Sequence, residues 1–257
     1  MNVLNIQEDG LFPYKRQEIR KSHILPFKFL KKNILEHYRK RFWSSKYANI
    51  KLHRFFHHLN SSQALCINLF YPLLAENLID LFLDYLKISY VANVAMFEKK
   101  SSIEKSGRRT SFDFYVETKN NKHVFVEVKY TENGFGKAKY DKEHQKKFQN
   151  TYLPVVKKSK FLEKKCEDEG FFFDNYQVLR NLIHINSTDY VVLLFPYENI
   201  KVRKEANSAK ALLTDLGKEK LKIVYLEELS SFFCPHCIGT PLEGYYKHFN
   251  AKYFPGK

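Results

Sequence analysis

The stretch Thr110–Tyr130, TSFDFYVETKNNKHVFVEVKY, constrains the fold more than any other part of the chain. Its two arms, Thr110 to Thr118 and His123 to Tyr130, alternate and are rich in Val, Phe, Tyr and Thr, the pattern of β-strands. Lys119-Asn120-Asn121-Lys122 between them reads as a hairpin turn. A two-stranded hairpin is marginal on its own, so the rest of the chain has to extend and cover it.

The flanking segments supply that cover. Asn60-Ser61-Ser62 offers a helix cap, and an apolar helical pattern follows to about Lys87. Pro72 interrupts it, so a kink or two successive helices are expected there. Tyr90 to Glu98 is a third alternating strand. Beyond the hairpin, helical stretches are expected near Asp141–Tyr152, Val156–Glu169 and Asn175–Ile185. The apolar run Tyr190–Phe195, ended by Pro196, reads as a buried strand. A helix near Glu205–Leu216 and a strand Leu221–Leu226 complete a strand-helix-strand unit, which normally makes parallel neighbours. The order predicts an α/β fold with a mixed central sheet flanked by helices. Its expected parts are a basic, mainly helical extension over residues 1–60, a core over 61–230 and a helical tail over 231–257.

Charge narrows the partners. Lys and Arg number 43 against 28 Asp and Glu, a formal net charge of +15. A field of that sign draws polyanions, of which nucleic acid is the commonest. The first sixty residues hold thirteen of the cations against four acids, with aromatics interleaved, as in His37–Trp43 (HYRKRFW). Arg39, Lys40 and Arg41 are therefore candidates for phosphate contact; the same residues also fit a solvated helix face. The start MNVLNIQEDG lacks the apolar stretch of a signal peptide, and no apolar run has the length of a membrane span. Four cysteines in 257 residues do not suggest a disulfide framework. The expectation is a cytoplasmic protein with no membrane partner.

Within the hairpin, Glu127 and Lys129 lie two apart and share a strand face. Asp113 interrupts an otherwise aromatic arm between Phe112 and Phe114. Two carboxylates beside an ammonium are costly to desolvate. Their placement is easier to explain if they hold a divalent cation, and hard oxygen ligands suit magnesium. Taken alone, the hairpin fits equally well a solvent-facing sheet side with ordinary cross-strand charges.

Asp113, then thirteen residues, then Glu127-Val128-Lys129 resembles the D…ExK signature of the PD-(D/E)XK nuclease superfamily. Phe112 stands where that signature usually has Pro. The surrounding text resembles one restriction-endonuclease-like branch. It comprises SSQALCINLFYPLL (Ser61–Leu74), MFE (Met96–Glu98), EVKYTE (Glu127–Glu132), Phe135-Gly136 and YQVLRNL (Tyr176–Leu182), within roughly residues 53 to 230. The resemblance implies a restriction-endonuclease-like core that hydrolyses DNA phosphodiesters with Mg2+, for which Mn2+ can substitute. It makes Asp113 and Glu127 metal ligands, the Val128 backbone carbonyl a further one, and Lys129 the residue that orients or helps deprotonate the attacking water. Glu98 is the favoured additional carboxylate, with Glu76 as the helix alternative. Gln177 and Arg180, one helical turn apart, are candidates to support the site or to touch phosphate, or equally the polar side of a packed helix.

The expected role is defence by a type II restriction-type enzyme; repair, recombination or transposition nucleases share the core, and a non-cutting nucleic-acid-binding module is the rival of another class. A double-strand cutter with one active centre per chain is expected to dimerise. Cys234-Pro235-His236-Cys237 has metal or redox spacing, but His236 is awkwardly placed for a zinc site. Buried thiols are the default over structural Zn2+ at Cys234 and Cys237.

The hairpin carries one geometric demand. An even-length connection, of two or four residues, would set Asp113 opposite Val128 and so on the other face from Glu127. The active-site reading therefore requires an odd-length connection or a β-bulge, and Asn120 or Asn121 can supply the left-handed residue for a three-residue loop.

Overall fold

A computed structural model describes residues 9–14, 17–105 and 107–254. The chain divides into two compact units, Met1–Leu81 with Ser230–Lys257, and Phe82–Leu229.

Within the expected, mainly helical extension, the described residues of the first unit also hold an antiparallel hairpin, β1 (Gly10–Tyr14) and β2 (Gln17–Lys21). Pro13 within the first arm is incompatible with a helix interior. Helix Glu36–Trp43 follows. Helix Ser62–Ala75 starts where expected, with the Ser61 hydroxyl accepting from the Ala64 N–H. It stops shortly after Pro72, and Asn77 at φ 56° turns the chain into a second helix, Asp80–Tyr85. The tail is not a separate piece. Its helix Tyr245–Tyr253 donates hydroxyl bonds from Tyr245 and Tyr246 to the carbonyls of Asn68 and Leu69, at 2.7 and 2.9 Å. The helix Ser62–Ala75, expected in the core, thus packs with the helix Tyr245–Tyr253, and its Asn68 Oδ1 accepts the Leu35 N–H at 2.8 Å.

The second unit is built on a five-stranded sheet in the order β3-β4-β5-β6-β7. These are Ala92–Lys100, Ser111–Thr118, His123–Val128, Tyr190–Phe195 and Leu221–Tyr225. The first three pair antiparallel; β5–β6 and β6–β7 pair parallel. The sheet is mixed, as the element order predicts. Several helices are shorter than the periodicity suggests because capping residues restart them. Asp168, Asn199 and Thr214 accept N–H bonds at the starts of Glu169–Asp174, Ile200–Ala209 and Asp215–Lys220. Helix Lys142–Lys147 passes through a π segment, Phe148–Tyr152, into Leu153–Lys158. Pro154 sits at the start of that last piece and cannot donate its missing N–H, so the wider turn precedes it.

Four residues separate the ends of β4 and β5, but Lys122 still pairs with Thr118, which leaves a three-residue loop, Lys119, Asn120 and Asn121. The Thr118 N–H donates to the Lys122 carbonyl at 2.9 Å, and Asn121 lies at φ 54°. This is the odd-length loop with a left-handed asparagine that the active-site reading demands. Glu117 pairs with His123 and Phe114 with Val126, so one further step sets Asp113 opposite Glu127.

The β3–β4 connection, between Ser101 and Thr110, is fastened at its base by Glu104. This carboxylate is fully buried and accepts from Thr110 N–H at 2.5 Å, Tyr152 Oη at 2.7 Å, Lys147 Nζ at 2.7 Å and Arg180 Nη2 at 2.8 Å. Burial pushes its pKa up, but the bonds from Lys147, Thr110 and Tyr152 outweigh this and lower it from the ordinary 4.5 to about 2.

Two outcomes are expected. Asn121→Val should cost about 1–2 kcal/mol in urea denaturation, because a β-branched side chain disfavours positive φ, while Asn121→Gly should cost far less. Glu104 is the second case. A carboxylate whose pKa is depressed on folding stabilises above its unfolded value and loses that contribution as pH falls through the folded one. The advantage of the parent over Glu104→Gln should therefore be full above pH 4.5 and vanish towards pH 2, a change of about 3 kcal/mol followed by melting at stepped pH.

Candidate active site

Strand β5 is buried on both sides, which removes the solvent-facing explanation of its charges. Glu127 keeps 6% of its surface and Lys129 8%. Asp113 sits where regular alternation of β4 breaks. Phe112 and Tyr115, three apart, both pack on Phe125 of β5 (centroids 4.8 and 5.2 Å), whereas Phe114 packs with Phe82 and Phe97. At this break the Asp113 carboxylate turns across to β5, and its Oδ2 accepts the Val128 N–H at 2.7 Å. That bond fixes the main chain at Val128, the residue whose carbonyl the resemblance offers as a ligand.

Glu98 lies on the other flank. Phe97 pairs with Phe114 and Lys99 with Phe112, so Glu98 stands opposite Asp113. It has φ 56°, unusual for a strand residue, and its Oε2 accepts from Ser111 Oγ at 2.8 Å. Asp113 is thus a carboxylate between two others. Burial, foremost, and the charge of Glu127 push its pKa well above the usual carboxylate range; the Val128 N–H opposes this, Glu98 adds to it, and Lys129 opposes it.

Glu127 is held by its neighbours. Lys129 Nζ lies 3.1 Å from its Oε1, and Gln177 Nε2 donates to the same oxygen at 2.9 Å. Burial lowers the Lys129 pKa, but the charges of Glu127, Glu132 and Asp113 outweigh it and hold the ammonium above its ordinary pKa. Lys129 Nζ also lies 5.5 Å from the centroid of the Phe135 ring.

The segment after β5 is pinned around this pair. Asn199 Nδ2 donates to the carbonyls of Tyr130 and Glu132, each at 3.0 Å. Glu205 accepts the Phe135 N–H at 2.5 Å. Gly134, at φ 91°, allows this approach, since a Cβ there would meet the Glu205 carboxylate at 2.5 Å. Gln177 exchanges two bonds with Gly136: its Oε1 accepts the Gly136 N–H at 2.9 Å, and its own N–H donates to the Gly136 carbonyl at 3.0 Å.

The other sequence candidates lie elsewhere. Arg180 pairs with Glu104 and stacks over Tyr176, with the guanidinium 5.1 Å from the ring centroid. Glu76 accepts from Tyr38 Oη at 2.9 Å and pairs with Arg41 in the first unit. Arg39 Nε donates to the Ile34 carbonyl at 2.9 Å, and Lys40 is exposed. Cys234 and Cys237 are free thiols whose pKa burial pushes up. His236 bonds the Phe232 carbonyl and stacks on the Phe232 ring at 3.9 Å.

Sequence reasoning missed Glu104, Asn199 and Glu205. Glu104 stands in the strongly basic text EKSGRRT, where it reads as a solvated charge; Asn199 carries the signal of a helix cap, but its amide group does the further work.

A donor set is therefore available for a divalent cation: the Asp113 and Glu127 carboxylates, with Glu98 alongside. Among the described residues no group of three or more His, Cys, Asp or Glu side chains is close enough to form a complete metal cage. Magnesium does not require one, since it commonly binds through one or two carboxylates and keeps several waters. Among the described residues no helix is long and apolar enough to cross a membrane.

No curated protein and no solved structure matches the chain significantly. A family profile does match, that of the restriction endonucleases associating with ARP, over residues 5–254. With nearly the whole length covered, the chain belongs to the family of restriction endonucleases associating with ARP.

Proposed function

We propose that the protein is a magnesium-dependent DNA endonuclease of restriction type, cutting with Asp113, Glu127 and Lys129. The observation that carries this reading is the register: the half-buried Asp113, one step past the Phe114–Val126 pair, is brought to the buried Glu127, which carries a charged lysine. Burial, foremost, and the charge of Glu127 raise the Asp113 pKa, and a divalent cation would offset both. Bound by Asp113, Glu127 and the Val128 carbonyl, such a cation supplies Lewis acidity at the phosphate and a more acidic water.

The chain's own residues do the rest. Lys129, held charged, offsets the negative charge that builds on the scissile phosphate and orients the attacking water. Gln177 fixes the Glu127 carboxylate so that its position does not depend on bound DNA. The Phe135 ring and the pinned segment after β5 limit water at the lysine. Restriction is favoured over repair or transposition by the family match. Dimerisation would supply the second cut of a duplex, and a reducing cytoplasm suits four free cysteines.

Purified protein should cleave duplex DNA with Mg2+. Asp113→Ala, Glu127→Ala and Lys129→Ala should each lower the rate by at least 10²-fold, with circular dichroism unchanged. Parental cutting by Asp113→Ala would overturn the assignment. A separate outcome follows from the loop: deletion of Asn120 shortens the connection to two residues and slips the register. The deletion variant should fold and fail to cut, whereas replacing Asn120 by Ser should leave cleavage intact.

A further inference from the structure

The β3–β4 connection combines a costly buried anchor with an exposed basic tip. Its anchor is Glu104, fully buried and bonded by four donors. A buried ion network of this kind is often no more stable than well-packed apolar side chains would be. What it does provide here is a fixed loop. Further ties act in the same sense. Ser101 Oγ bonds His184 Nε2 at 2.8 Å, and Arg109 Nε donates to the Ser101 carbonyl at 2.8 Å. Lys147 Nζ donates to the Arg108 carbonyl at 2.8 Å.

The tip itself is differently made. Lys105 and Arg108 are exposed, and among the described residues neither has an ion-pair partner. Gly107 turns the chain at φ 67°, with open space around the position of a Cβ. With Arg109, Lys147 and Arg180, the loop and its anchors gather five cationic side chains and one buried carboxylate. The balance is positive, on a backbone held by its anchors.

The position of the loop decides what it meets. It leaves β3 two residues after Glu98 and enters β4 just before Asp113, so it rises from the sheet end that carries the carboxylates. Thr110 is three residues from Asp113, about 10 Å of strand, the axial rise of about three nucleotides. The tip offers ammonium and guanidinium donors, the groups that most often take phosphate oxygens, and no aromatic ring to stack on a base.

We propose that Lys105 and Arg108 form a preorganised phosphate clamp that grips the DNA backbone a few nucleotides from the scissile bond, with Glu104 and Arg109 as its positioning residues. The inference rests on the nuclease reading and adds to it where the substrate strand runs. Because the backbone that carries them is anchored before binding, only the two side chains have to be ordered on contact. Because they touch backbone and not bases, they act alike on all sequences.

The test uses the full-length protein, fluorescently labelled duplex DNA, and binding measured with Ca2+ in place of Mg2+ across a salt series. The double variant Lys105→Ala/Arg108→Ala should raise Kd roughly tenfold at low salt and lower the slope of log K against log salt by about two. In cleavage with Mg2+, KM should rise by a similar factor while kcat falls far less. Arg108→Lys should retain most of the affinity and the slope. Asp113→Ala separates the two readings: it should bind with the parental slope and not cut. If the parent cuts and the double variant binds with unchanged Kd and slope, the clamp is wrong and the nuclease reading stands. If the double variant loses the slope but Asp113→Ala cuts like the parent, the active-centre assignment falls and the clamp stands. A parent that does not bind DNA overturns both.

Discussion

Two carboxylates, the half-buried Asp113 and the buried Glu127, are brought together at the ends of β4 and β5, and the contacts around them answer to the cost of holding them there. Left to itself, such a pair would take up a proton or turn apart. The structure keeps both in place through separate contacts. Asp113 gives up regular pairing and takes a main-chain N–H from Val128. Glu127 receives the Lys129 ammonium and the Gln177 amide on one oxygen. Neither arrangement neutralises Asp113, whose pKa stays well above the ordinary value through burial and the charge of Glu127. The site is therefore assembled short of one or two positive charges, which is the electrostatic condition for recruiting a cation and a phosphate together.

Much of this was legible in the sequence because it depends on period two. The strands β3 to β7 stand close to where alternation and apolar runs place them, and Glu127 and Lys129 had to share a face. Parity made the hairpin informative even before its loop was known: opposing carboxylates demanded an odd connection, and Asn121 at φ 54° provides it. What sequence could not settle was burial. A Glu and a Lys two apart on a strand describe an exposed face as well as a catalytic one, and the difference lies in helices far along the chain. Gln177 is the clearest case, since a polar residue on a packed helix carries no mark of the Glu127 carboxylate fifty positions earlier. The helix boundaries failed for a local reason, as the caps Asp168 and Thr214 each restart a helix inside a stretch whose periodicity looks continuous, and the cap Asn199 starts one ahead of the expected Glu205.

Charge counting alone does not say which cations are engaged by the protein itself. The cluster Arg39-Lys40-Arg41 is conspicuous in sequence, yet Arg41 is engaged by Glu76 and the Ala75 carbonyl, and Arg39 by the Ile34 carbonyl. Lys31 lies 5.5 Å from the centroid of the Trp43 ring. Net charge is a property of the whole surface, but availability is a property of each side chain's neighbours. The loop carrying Lys105 and Arg108 has a smaller count and a stronger claim, since its cations are exposed and its backbone is tied down.

One helix turn connects the parts. In Tyr176–Leu182, Gln177 and Arg180 are three apart and project on one side, as residues at that spacing do. Gln177 meets Glu127, and Arg180 meets Glu104. The same turn thus fixes a carboxylate of the proposed metal site and the anchor of the proposed clamp. A displacement of this helix would move both, whereas independent supports would let them drift apart. Catalysis on a long polyanion needs the phosphate and the attacking group in register to within an ångström or so. Coupling both supports to one rigid turn is a direct way to hold that register, and it explains why two polar side chains sit on a face that packing alone would have filled with apolar ones.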